Sequence, residues 1–60
     1  MIVTVSHVRQ AKYCMVGARR FFKRHNLDWS DFLKNGIDED VLKQTGDAMA
    51  LKVIEVARGR

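Results

Sequence analysis

A single cysteine in a chain of sixty residues rules out an internal disulfide and leaves the apolar core to hold the fold by itself. At this length one core supplies about 3 to 5 kcal/mol of net stability, so such chains often gain from a metal, a second copy or another partner. Apolar residues make up 47% of the sequence and charged residues 30%, enough aliphatic content to offset the ordering entropy of one domain. Two cores would not fit, which excludes a two-domain enzyme. An unpaired cysteine also points to a reduced, cytosolic setting.

The longest apolar stretch, Tyr13 to Ala18, is six residues and contains Gly17. A bilayer span needs roughly 20. The start, Met1-Ile2-Val3-Thr4-Val5-Ser6-His7, lacks the basic region and apolar run of a secretory signal. The expectation is a complete cytoplasmic product with no membrane partner.

No proline interrupts the chain, and the glycines stand where helices stop or pack closely. The pattern predicts an all-α protein, a compact bundle of four to five short helices in one domain covering residues 1–60, with a short extended segment at Ile2 to Val5. Thr4 or Ser6 caps a first helix that runs to about Tyr13. A second runs from about Cys14 to His25. Helical projection places Cys14, Met15, Ala18, Phe21 and Phe22 on one arc and Arg19, Arg20, Lys23 and Arg24 on the other. Asn26 and Leu27 break that run, and Asp28 caps a third helix to about Asn35, with Asp31 in its first turn. Gly36 suits the left-handed position after the helix, with Ile37 packing back. Asp38 caps a short fourth helix, Glu39 to about Gln44, which is expected to bury Val41 and Leu42. The last helix, Asp47 to about Arg58, carries Met49, Ala50, Val53, Ile54, Val56 and Ala57 on a wide apolar arc and should be the central packing helix. Leu51 falls among its polar positions. It either fills a groove within the monomer or serves a partner, including a second copy of the chain.

The residues able to do chemistry are few. His7, Cys14 and His25 lie seven and eleven apart, without the close pairs of structural zinc sites, so neither a metal nor a cofactor is expected. Cys14 reads as a small hydrophobe packed inward at a helix start; the alternative is a thiolate favoured by the helix N-terminus and neighbouring arginines. Asp28 and Asp31 are explained by the helix they open. Gly17, alone in a helical pattern, suggests a close helix contact. No phosphate loop or nucleophile motif is present, and no catalytic residues are assigned.

Charge is more informative. Residues 1–26 carry Arg9, Lys12, Arg19, Arg20, Lys23 and Arg24 and no acid, +6, whereas residues 27–60 hold five bases and seven acids, −2. Such a basic stripe can face an acidic protein groove or nucleic-acid phosphates, or stand as an ordinary solvated helix face. Phe32 to Leu42 has the outline of a helix-turn-helix with Gly36 in the turn. Its would-be reading helix begins Asp38-Glu39-Asp40, however, and phosphates would repel that end, so the turn is read as structural. Trp29, Phe21 and Phe22 are assigned to the core rather than to base stacking.

Tyr13-Cys14, Gly17-Ala18-Arg19, Phe21-Phe22, His25, Leu27-Asp28-Trp29, Phe32-Leu33, Gly36-Ile37 and Thr45-Gly46-Asp47-Ala48 together resemble a group of short proteins encoded in tailed phages and prophages, over Val3 to Ala57. The group has no catalytic residues to carry over. The resemblance implies a viral origin and action by binding: a host- or defence-directed inhibitor, a transcriptional regulator or a minor assembly factor. The leading expectation is a cytoplasmic, non-enzymatic protein that binds a host, defence or phage protein through Arg19, Arg20, Lys23 and Arg24, with Arg9 and Lys12 nearby. A nucleic-acid-binding regulator comes second and a minor virion component third.

Overall fold

The computed structural model describes residues 1–59. In chain order the elements are β1 (Ile2–Val3), α1 (Val5–Gln10), α2 (Met15–Arg24), α3 (Trp29–Asn35), β2 (Ile37–Asp38), α4 (Glu39–Gln44) and α5 (Ala48–Ala57). The five helices fulfil the all-α expectation. The extended start is also present, but it has a partner the sequence did not disclose. β1 pairs antiparallel with β2, Ile2 opposite Asp38 and Val3 opposite Ile37. The Glu39 N–H then donates to the Met1 carbonyl at 3.0 Å, so the ribbon ties the chain start to the first residue of α4.

The position that permits this ribbon is Gly36. Its φ of 76° is positive, as a residue following a helix should be, but its ψ of −169° places it in an extended mirror region rather than in the left-handed helical one. That region is essentially closed to residues with a Cβ. A Cβ here would also stand 2.6 Å from Ile2 Cγ2 and 2.7 Å from the Val3 carbonyl oxygen. Absence of a side chain therefore serves both the backbone angle and the approach of β1.

Two other reversals use left-handed residues. Helix α1 stops at Gln10, short of Tyr13, because Lys12 takes φ 65°; its N–H donates to the Arg9 carbonyl and the Tyr13 N–H to Val8. The same paired closure ends α2. Asn26, at φ 56°, donates to Lys23, and Leu27 donates to Phe22 at 2.8 Å. Both are Schellman closures, which satisfy the orphan carbonyls of a helix end and fold the next apolar residue back onto it. Tyr13 and Leu27 accordingly pack against the core.

Helices α1, α4 and β1 lie against α5, which is central as its apolar arc predicts. Ala50, Val53 and Ile54 of α5 are buried with Val3, Val8, Ala18, Phe21, Phe22, Phe32 and Leu42. Phe22 is the aromatic hub: its ring centre lies 4.6 Å from Phe32, 5.2 Å from Trp29 and 5.9 Å from Phe21. Free space of only about 10 Å³ remains where Phe21, Phe22, Met49 and Val53 meet, so the core is close-packed.

Several side chains depart from expectation. Val41 is exposed rather than buried, because two turns of helix can turn only one face inward and Leu42 occupies it. Leu51 is 46% exposed, which removes the alternative of burial within the monomer. Cys14 is exposed instead of packed inward. It is the N-cap of α2, and its Sγ accepts the Gly17 N–H at 3.3 Å. The neighbour that crowds Gly17 is this same sulfur, 3.3 Å from a notional Cβ, so the glycine accommodates a cap and not a second helix.

Candidate functional site

Five of the seven acids are engaged within the fold, three of them by backbone N–H groups at helix starts. Asp28 accepts the Asp31 N–H at 3.0 Å and caps α3, while Asp31 accepts from Asn35 Nδ2 at 2.8 Å. Asp38 accepts the Asp40 N–H at 2.8 Å to cap α4, and Asp47 accepts the Met49 N–H at 2.9 Å to cap α5. Glu39 accepts from Arg58 through Nη2 at 2.7 Å and Nε at 3.1 Å, with the Met1 amine 3.6 Å from its other oxygen. The Arg58 hydrogen bond holds the Glu39 carboxyl below its ordinary value against the opposing effect of burial; the charges of Arg58, the Met1 amine and Lys43 add to the lowering. Asp38 and Glu39 at the head of α4 thus close the fold, and Asp40 beside them is exposed.

Of the soft ligands, His7 and Cys14 are engaged in helix caps, whereas the buried Nε2 of His25 has no hydrogen-bond partner among the described residues. The His7 Nδ1 accepts the Thr4 N–H at 3.0 Å, which requires that nitrogen to be unprotonated, and completes the N-terminal cap of α1 at Thr4. His25 lies at the C-cap of α2 with its ring centre 4.6 Å from Phe21 and its Nε2 3.9 Å from Asp47 Oδ2. Among the described residues no three His, Cys, Asp or Glu side chains converge on one point.

The bases of the first 26 residues are disposed differently. Arg9, Lys12, Arg19, Arg20, Lys23 and Arg24 are all exposed, and among the described residues none of them lies within ion-pair distance of a carboxylate. Three border a groove of about 520 Å³ between α2 and the start of α3: Arg19, Arg20 and Lys23, together with Val16, Leu27 and Trp29. Arg24, one step further round α2, and Arg9 and Lys12, at the end of α1, do not line it.

The construction follows from the sequence. Phe21, Phe22 and Ala18 fix which face of α2 is buried, so the opposite face must carry Arg19, Arg20 and Lys23 outward. The Schellman closure at Asn26 turns Leu27 back toward the helix it has just left, and the Asp28 cap then starts α3 with Trp29 as its first residue. Trp29 is only half-buried: it packs on Phe22 and Phe32, ring centres 5.2 and 5.5 Å away, and still borders the groove.

Val16, Leu27 and Trp29 escaped the sequence reading. A signal for Val16 was available, since at 100° per residue it projects between Arg19 and Arg20, an apolar residue inside the basic arc. Val16 is 62% exposed, the most exposed large apolar side chain among the described residues. The groove thus joins an aliphatic and aromatic floor to a rim of unneutralised cations. Such a surface is complementary in charge and polarity to groups that combine apolar bulk with negative charge.

Compared with known proteins, the chain matches no family model, no curated protein and no solved structure. Among the described residues no helix is long and apolar enough to cross a membrane.

Proposed function

We propose that this is a small non-enzymatic binding protein of phage type, acting in the host cytoplasm on a host, defence or phage protein through the basic face of α2. The observation that carries the reading is the groove in which Arg19, Arg20 and Lys23, without ion-pair partners among the described residues, surround Val16, Leu27 and Trp29. Unpaired cations around an exposed apolar floor leave both attraction and burial unspent in the monomer, and an acidic protein surface would draw on both.

A nucleic-acid-binding regulator is the second reading, favoured by the six exposed bases at Arg9, Lys12, Arg19, Arg20, Lys23 and Arg24. It has no reading helix in α4, whose leading Asp38 and Glu39 are engaged in a cap and with Arg58. A duplex DNA titration at two salt concentrations with random duplex as competitor separates the readings. Protein binding predicts weak association indifferent to sequence. A site held at least about a thousandfold more tightly than random duplex would overturn it in favour of the regulator.

A further inference from the structure

The groove constrains its occupant beyond a preference for negative charge. Along α2, Val16, Arg20 and Lys23 follow one another at steps of four and three, a single line along the helix, and beyond its end the Asn26 closure folds Leu27 back to the same groove. Arg19 flanks that line, and Trp29 borders the groove from α3. Apolar residues therefore stand at both ends of this wall with cations between them, and the groove, open to solvent with a volume of about 520 Å³, admits one or two large side chains.

A phosphodiester chain would leave Val16 and Leu27 without a counterpart, because aliphatic groups offer no stacking surface to a base. Trp29 already meets Phe22 at an interplanar angle of 78°, edge to face, and Phe32 at 41°. It is seated as part of a wall, not as a free platform. A polyacidic segment without apolar groups would satisfy the cations but leave the floor wet.

The geometry points to an acidic amphipathic helical segment of a partner protein as the occupant: one bulky apolar side chain set against Val16, Leu27 and Trp29, with carboxylates three or four residues to either side meeting Arg19, Arg20 and Lys23. This rests on the protein-binding reading and specifies the ligand class. A helical segment meets both requirements at once, because its residues three and four apart share one face, so that an anchor and its flanking acids reach floor and rim together. The partner's acids would replace the water now around the cations, and its anchor would bury the apolar surface that the monomer leaves open.

The test is selection from random 16-residue peptides against the immobilised protein, followed by titration of the enriched peptides in solution. Because Trp29 is the only tryptophan, its emission reports occupation of this groove. The expected pool carries Asp or Glu three or four residues from a Leu, Phe or Trp. Its members should shift Trp29 emission and lose at least tenfold in affinity both with Val16→Asp and with Arg19→Glu/Lys23→Glu. These substitutions are at exposed positions, and helical dichroism confirms that each variant is folded.

Loss with the double reversal but not with Val16→Asp would overturn the anchored-helix inference while leaving the basic-face reading intact. Indifference to both would overturn the two together. A pool without the acidic and apolar pattern, or no enrichment at all, contradicts the inference. So does a random single-stranded 20-nucleotide DNA that shifts Trp29 emission at lower concentration than any selected peptide in 150 mM salt.

Discussion

The bases of the first 26 residues and five of the seven acids that follow them are used in opposite ways. Downstream of Asn26, Asp28, Asp38 and Asp47 each cap a helix, Asp31 holds Asn35, and Glu39 joins the head of α4 to Arg58. Upstream, six bases stand in solvent with no carboxylate in reach among the described residues. A charge that caps a helix is accounted for by folding. A charge that the fold leaves alone is either solvation or function, and at the groove the apolar floor beside it favours function. The comparison also explains why the acidic start of α4 is a poor sign of a nucleic-acid interface: Asp38 and Glu39 serve closure, and the exposed Asp40 would repel a phosphate.

Substitutions can break this contrast from either side. The largest effects belong to positions on which both regions depend. Phe21→Ala opens the shared core and should cost about 3 to 5 kcal/mol, comparable with the whole stability of a domain this small. Gly36→Ala should be similarly damaging, because it forces a Cβ against Ile2 and the Val3 carbonyl and separates β1 from β2. Urea denaturation of each variant should show the cooperative transition lost or moved to far lower denaturant; a midpoint near wild type would mean that the ribbon and the Phe21 contacts are dispensable.

Next in size come the caps. Asp28→Ala and Asp47→Ala should each destabilise by about 1 kcal/mol, the usual worth of an N-cap side chain. In a domain this short that is a fall of about 4 to 8 °C in melting temperature. Unchanged melting for both would remove the claim that the acids are structural.

Glu39 gives a pH test of the same claim. Its carboxyl is held below the ordinary value in the folded chain, chiefly by the Arg58 hydrogen bond, so the ionised form favours folding. That contribution is present above the unfolded carboxylate range and disappears as the pH falls through the lowered folded value. Melting temperature should therefore decline on acidification in this window, and Arg58→Met should flatten the decline. An equally steep decline in the Met variant would show that the pair is not its source.

How much of this was legible in the sequence depended on whether the signal was local. Caps at Asp28 and Asp38 and the buried arc of Ala18, Phe21 and Phe22 follow from spacing along one helix, and all are found; Asp47, read as the first residue of the last helix, is its cap. The pairing of β1 with β2 was not legible: two residues per strand carry no alternation, and their contacts join positions 34 and 36 apart in sequence. The exposure of Val41 and Leu51 likewise depends on which neighbours reach each short helix. At the site, Arg19, Arg20 and Lys23 could be placed on a shared face from periodicity. Trp29 and Leu27 join them only because the Asn26 closure folds the chain back, which a projection of α2 alone does not contain.

The most direct measurement of the central claim is the melting temperature of Arg19→Glu/Lys23→Glu in low salt, read beside the cap variants. If these bases have no structural duty, reversing two of them should change stability by no more than about 0.5 kcal/mol, which keeps the midpoint within about 4 °C of wild type. A fall as large as that of Asp28→Ala would show that the basic face holds the fold together and would contradict the division of labour between the two regions.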